Sequence, residues 1–100
     1  MKYGLSLFLF LCILTACSGS KEKKYVIGIS QCMLDDDWRQ AMIREVGIEA
    51  SNYDDIELVI RDANSNNNRQ IEQIRELIAR QVDILIISPF ESVPITEVAE

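Results

Sequence analysis

The sequence has no histidine, so histidine-based metal sites and histidine general bases are excluded from these 100 residues. Glycine and proline are scarce, with four and two residues respectively. A dinucleotide site would need a glycine-rich turn after the first apolar run, where Ser30, Gln31 and Cys32 stand instead. A Gly-x-Ser-x-Gly elbow is also absent. The sequence therefore predicts that this segment is not an enzyme and uses no cofactor.

Cysteine and positive charge are limited as well. Cys12 and Cys17 lie in an apolar leader, which leaves Cys32 alone and predicts no internal disulfide. We interpret Cys32 as a small, partly buried residue after a strand, with a reactive thiol as the alternative. The net charge is −6 and becomes −7 once Lys2 is removed with the leader. This charge argues against nucleic acid as a partner and against polybasic attraction to anionic lipid.

The N-terminal segment has the features of an export signal. Lys2 supplies a positive start, residues 5–14 are almost wholly apolar, and two small residues precede Cys17. The apolar run is too short to span a bilayer comfortably. The tetrapeptide at 14–17, Leu-Thr-Ala-Cys, resembles a bacterial lipobox, which implies that Cys17 becomes the lipidated first residue. An ordinary signal with a coincidental cysteine and an uncleaved anchor are the alternatives. We expect a periplasmic location with membrane attachment.

The chain is predicted to have three parts. Residues 1–17 are a lipoprotein-type signal peptide, 18–24 a polar linker, and 25–100 part of a folded domain. The folded part is shorter than a usual domain of about 100–150 residues. Its last predicted helix reaches Glu100 within its first turns, so we expect a truncated piece of a longer domain.

Three apolar, β-branched runs at 25–29, 56–60 and 82–87 predict buried strands. Apolar residues at helical spacing follow each run, which predicts three helices. The stripe of the second helix consists of Ile71, Ile74, Leu77 and Ile78. Asp35 to Asp37 suit the start of the first helix, Asn67 with Gln70 resembles a capping pair for the second, and Ser92 is expected to cap the third.

Strands this apolar need cover on both faces, which predicts an α/β fold with a parallel sheet between two helical layers. Right-handed crossovers then place the second and third strands on opposite sides of the first, giving the strand order 2-1-3. Asp83, at the base of the third strand, is expected to bond to a neighbouring backbone amide.

Ligands of such sheets bind outside the carboxyl ends of the strands, where the strand order reverses. The loops at 30–38, 62–66 and 88–92 meet there and carry hydroxyl, amide and carboxylate groups with two flat aromatic rings. This mixture suits a carbohydrate, because polar groups bind its hydroxyls and rings cover its C–H faces. The candidate ligand-binding residues are Gln31, Asp36, Asp37, Trp38, Asn64, Ser88 and Phe90. No metal site is predicted, since the spaced acidic and glycine pattern of a calcium loop is missing.

Structural roles are the alternatives for these residues. Trp38 could begin the apolar stripe of the first helix and pack on the sheet. Asp62 and Asn64 could be turn formers that bond their own backbone. The three aspartates at 35–37 could be a solvated helix start. A phosphate-accepting receiver domain shares the topology, but its acidic pair after the first strand is replaced by Ser30 and Gln31.

The pattern resembles the N-terminal lobe of type I periplasmic binding proteins of the ribose and galactose class. The residues that carry the resemblance lie at 25–30, 62–66, 70–78 and 82–89. Ser30-Gln31-Cys32 with Trp38-Arg39, and Ser88-Pro89 with Pro94-Ile95, resemble more narrowly the sensor domains of Bacteroidetes hybrid two-component histidine kinases.

The resemblance implies a two-lobed protein that closes on a small sugar by hinge motion, without chemistry. Two departures from the family pattern argue against a simple ribose-like ligand. The usual Asn-Pro-Phe-Phe run is absent from the first loop, and Ser88 stands where the family has an asparagine before proline. The main functional interpretation is a solute receptor that passes sugar to a transporter permease. The alternative is the sensory region of a signalling protein that acts on a downstream kinase module.

Overall fold

The computed structural model describes residues 24–100, so the signal peptide, Cys17 and all but the last residue of the linker lie outside the described residues. Strands and helices alternate along the chain. The elements are β1 (Tyr25–Gln31), α1 (Asp37–Ala50), β2 (Ile56–Asp62), α2 (Asn67–Ala79), β3 (Ile84–Ser88) and α3 (Ser92–Ala99). Within residues 24–100, no helix is both long and apolar enough to cross a membrane.

The three strands form one parallel sheet in the order β2-β1-β3, as predicted. Ile27 is paired with Leu58 on one side and with Ile84 on the other, so the central strand is bonded along both edges. The boundaries of the strands differ by one or two residues from those of the apolar runs. β1 and β2 each end two residues later than predicted and β3 ends one residue later, because the polar residues at the carboxyl ends of the strands also join the ladder. β3 also begins two residues later than its apolar run, at Ile84.

One face of the sheet is covered by α2 and α3. Ile74 and Leu77 of α2 are completely buried there, and Ile95 of α3 is 3 % exposed. The strand comes close to the helix at Gly28, where an added Cβ would lie 3.3 Å from Leu77 Cδ2 and from both methyl carbons of Val82. A Cβ at this position would require the Leu77 and Val82 side chains to shift by a few tenths of an ångström, so glycine permits the close packing of this face.

The other face carries α1, which contacts β2 and has no fully buried residue. The side chains of Ile84 and Ile86 on β3 point to this side and are 55 % and 48 % exposed. An apolar groove lined by Ile27, Val46 and Leu58 runs between α1 and the sheet. The prediction of helices on both sides is therefore confirmed, but the cover is incomplete over β3.

Two predicted helix caps are wrong. The N-cap of α2 is Asn66, whose Oδ1 accepts a hydrogen bond from the Arg69 amide at 2.9 Å, so the predicted pair at Asn67 and Gln70 does not form. Three asparagines in a row all suit this position, and sequence alone does not select among them. α3 begins at Ser92 after Glu91, with no side-chain cap bond. Ser92 therefore lies inside the first turn.

The predicted role of Asp83 is confirmed. Its Oδ2 accepts a hydrogen bond from the Val26 amide at 2.7 Å, and its own amide donates to the Val26 carbonyl at 2.8 Å. These two bonds join the chain before β3 to the beginning of β1. Asp83 thus lies at the opposite end of the sheet from the candidate ligand-binding loops and has a structural role.

Candidate functional site

The loops that follow the three strands meet at the carboxyl end of the sheet. The Cys32 amide donates to the Ser88 carbonyl at 3.1 Å, and the Ser65 amide donates to the Cys32 carbonyl at 2.7 Å. The Ala63 amide also donates to the Gln31 carbonyl at 2.9 Å. The loop after β1 is therefore bonded to the loops on both sides. Cys32 is 2 % exposed, in agreement with its predicted structural role.

Gln70 of α2 is a buried polar residue beneath these loops. Its Nε2 donates to Ser30 Oγ at 3.1 Å and to the Ser88 carbonyl at 2.9 Å. Its Oε1 accepts from the Phe90 amide at 2.9 Å. Sequence reasoning assigned Gln70 only to a helix cap. The available signal was its spacing of four and seven residues from Ile74 and Leu77, which places an amide on the buried face of the helix.

Gln31 ends β1 and is 1 % exposed. Its side-chain oxygen Oε1 is buried and has no hydrogen-bond partner among the described residues. A buried acceptor without a donor costs free energy, which a water molecule or a ligand donor would recover. Gln31 is thus a buried polar group with unused bonding capacity at the carboxyl end of the central strand.

Asp36 and Arg39 form a local pair at the start of α1. Asp36 is the N-cap residue, and its Oδ1 accepts from the Arg39 amide at 2.7 Å. The Arg39 guanidinium is bonded to the same carboxylate. The hydrogen bonds from the Arg39 amide and guanidinium hold the pKa of Asp36 below its ordinary value. Asp36 therefore remains ionised at neutral pH and is committed to the helix start.

Trp38 projects from the first turn of α1 and is 67 % exposed. The guanidinium carbon of Arg39 lies 5.7 Å from the centre of its ring, within cation–π range. Asp37 beside it is also exposed. Trp38 does not pack on the sheet as the structural alternative required, and its ring is available at the edge of the crevice.

The loop after β2 is a tight polar turn. Asn64 and Ser65 both have a positive φ, of 51° and 59°. The Asn64 amide donates to Asp62 Oδ1 at 2.8 Å, which is the turn-forming bond considered from the sequence. The Asn64 side chain is exposed at this end of the sheet.

The loop after β3 is fixed through its backbone. The Ser88 carbonyl accepts from the Cys32 amide and from Gln70, and the Phe90 amide donates to Gln70. The Ser88 side chain is half-buried and the Phe90 ring is 42 % exposed. A cavity of about 260 Å³ next to this loop is lined by Ile87, Pro89 and Ser92. In the described part of the chain, no group of three acidic or cysteine side chains could hold a metal ion.

No family model and no curated protein matches the sequence. Among solved structures, the chain is similar to the fructose-binding periplasmic domain of a Bacteroides hybrid two-component system. The two are 38 % identical with a TM-score of 0.70, over 74 % of this chain. The chain has the fold of a periplasmic binding domain. The resemblance stated from the sequence, including its narrower form, is thereby confirmed.

The chain spans 24 % of the length of that structural neighbour, about a quarter. The neighbour is a binding domain and not an enzyme, in agreement with the prediction that this segment has no catalytic role. The binding-domain fold and the position of the loops at the carboxyl end of the sheet together define the candidate site.

Proposed function

We propose that this chain forms one wall of a periplasmic binding site for a small carbohydrate. The observation that carries the proposal is the convergence of the loops after β1, β2 and β3 at one end of the sheet, joined by backbone hydrogen bonds. The similarity to a fructose-binding periplasmic domain supports a sugar as the ligand class. The remaining wall of the site would come from outside the described residues.

The side chains divide by chemistry into two groups. The exposed rings of Trp38 and Phe90 would cover the C–H faces of a sugar. Asp37, Asn64 and Ser88 would bind its hydroxyls, and Gln31 Oε1 would accept a hydrogen bond from a donor that enters the crevice. Asp36 would contribute to binding only indirectly, because its carboxylate holds Arg39 and the start of α1 in place.

Two biological settings are proposed for this binding. Similarity to the periplasmic domain of a hybrid two-component system favours a sensor that acts on a kinase module. The lipobox-like sequence ending at Cys17 favours a lipid-anchored receptor that serves a transporter permease. A deletion strain separates them: a receptor mutant loses uptake of labelled sugar, whereas a sensor mutant keeps uptake and loses sugar-dependent transcription.

Membrane attachment through Cys17 is the next part of the proposal. Cys17→Ser should move the full-length protein from the membrane fraction to the soluble periplasmic fraction, because the lipid would have no attachment point. Fractionation with immunoblotting measures this, and Cys12→Ser is the matched control that should leave the location unchanged. Persistence of the Cys17 variant in the membrane would contradict a lipid as the sole anchor.

The binding proposal is tested with D-fructose and a panel of other monosaccharides on the full-length protein. A sugar that binds the native state raises the melting temperature. Trp38→Ala should then raise the Kd roughly 2–10-fold, since aromatic contacts contribute about 0.5–1.5 kcal/mol. Tyr53→Ala is the control, because Tyr53 is also half-exposed but lies at the end of the sheet where β2 begins. A protein that binds none of these sugars would overturn the proposal.

A further inference from the structure

The Gln70 side chain connects the central strand β1 to the end of β3 and to the loop that follows it. Its amide makes three hydrogen bonds, to Ser30 near the end of β1, to the carbonyl of Ser88 at the end of β3 and to the amide of Phe90 in the loop after β3. Gln70 is 0 % exposed, and its amide hydrogens and oxygen are all bonded within the protein, so it offers no free group to a solute in the crevice. Any influence on binding must therefore pass through the residues that it holds.

The loop after β3 has few other ways to be fixed. Pro89 has no N–H group, so the amide of Phe90 is the next donor after β3. That amide is bonded to Gln70 Oε1, and the Ser88 carbonyl accepts Gln70 Nε2 together with the Cys32 amide. A carbonyl oxygen has two lone pairs, so both are in use. Gln70 thus binds the backbone on both sides of Pro89.

The burial of Gln70 is matched to its bonding. Both amide hydrogens and the amide oxygen have partners, which removes the usual cost of placing a polar side chain in a core. An apolar residue at this position would leave the Phe90 amide without its acceptor. The neighbouring buried positions of the same helix, Ile74 and Leu77, provide packing and make no such bonds.

We propose that Gln70 is a positioning residue that sets the places of Ser88 and Phe90 in the sugar-binding crevice, an inference that rests on the proposed function. Residues of the loop would keep their identity in a Gln70 variant but lose their fixed position. Binding should then weaken although no ligand-contacting side chain has been changed.

The test compares Gln70→Met with Ile74→Val in the full-length protein. Methionine has a similar length and no hydrogen-bonding amide, whereas Ile74→Val loses packing on the same buried face. Amide hydrogen exchange is measured at Phe90 and, as an internal reference for the whole sheet, at Ile29 in β1. The Kd for D-fructose is measured in parallel.

We expect Gln70→Met to speed exchange at Phe90 at least tenfold more than at Ile29 and to raise the Kd for fructose at least tenfold. In Ile74→Val, the two amides should change together and the Kd should stay within about twofold. Should Gln70→Met fail to fold, Ser30→Ala removes only one of the three bonds and should produce a two- to fivefold selective increase at Phe90.

Equal changes at Phe90 and Ile29 in both Gln70→Met and Ser30→Ala would overturn the inference. So would an unchanged Kd in a variant whose loop exchanges faster. If the unmodified protein binds no fructose or other monosaccharide, the proposed function fails. Selective exchange at Phe90 would then still support the positioning role of Gln70, and its absence would refute that role separately.

Discussion

The two faces of the sheet are built differently. The face under α2 and α3 contains the fully buried residues Ile74, Leu77 and Gln70. The face under α1 leaves Ile84 and Ile86 about half exposed, and α1 itself has no fully buried side chain. A strand that is apolar on both sides therefore does not ensure that both sides are covered. We call the face under α2 and α3 the closed face and the face under α1 the open face. The closed face also holds the fully bonded amide of Gln70, whose hydrogen bonds are strengthened by the exclusion of water.

The largest effect is expected from removal of packing on the closed face. Leu77→Ala should lower the free energy of unfolding by about 2–5 kcal/mol, because the side chain is completely buried and leaves a cavity. Ile86→Ala on the open face should cost less than about 1 kcal/mol, since nearly half of that side chain already contacts solvent. Urea denaturation of both variants measures the difference. Equal losses would mean that the faces are equally packed.

A smaller effect is expected at the edge of the open face, where Asp83 borders a groove together with Ile84. Asp83→Ala should lower the free energy of unfolding by roughly 0.5–1.5 kcal/mol, because the Val26 amide loses its acceptor. Asp83→Asn keeps an acceptor oxygen and is the matched control. A loss as large as that of Leu77→Ala would show that this polar bond is as important as the packing of the closed face.

The smallest effect concerns α1, whose start depends on local contacts. The pKa of Asp36 is lowered in the folded state by the Arg39 amide and guanidinium, so the ionised form stabilises the fold. This contribution is present above the unfolded pKa and is lost as the pH falls through the folded pKa. The stability difference between the unmodified protein and Asp36→Asn, which keeps a good N-cap, should therefore shrink below about pH 4. Thermal melts across that range measure it. A stability difference that grows on acidification would contradict the prediction, because it would mean that the fold favours the protonated form of Asp36.

Much of the architecture was predictable from the sequence. The three β-branched runs and the helical spacing between them determine the element order, and the right-handed crossover rule determines the strand order. Parallel strands place their carboxyl ends at the same edge of the sheet, so the position of the crevice could be predicted. The bond from Asp83 to a backbone amide was also predictable, because an acidic residue at the base of an apolar strand needs a donor nearby.

Other features depend on tertiary contacts that a pattern does not contain. Ile78 belongs to the apolar stripe of α2 but is 46 % exposed, because the sheet beneath it covers only part of that stripe. The role of Gln70 required knowledge of which backbone groups lie opposite it. The choice of Asn66 over Asn67 as a cap depends on where the chain turns after β2. The hydrophobic periodicity of the sequence would be the same whichever way these features turned out, so it could not predict them.

The missing side chain of Gly28 has a consequence at the far end of α2. Leu77 and Val82 lie 3.3 Å from the place that a methyl group at position 28 would occupy. Leu77 and Gln70 are seven residues apart on α2, which corresponds to about 10 Å along the helix axis. A bulky substitution at Gly28 would crowd Leu77 on the helix that also carries Gln70. The close packing that Gly28 allows near Leu77 therefore bears on the position of the Gln70 amide, which is bonded to the loop after β3 at the other end of the same helix.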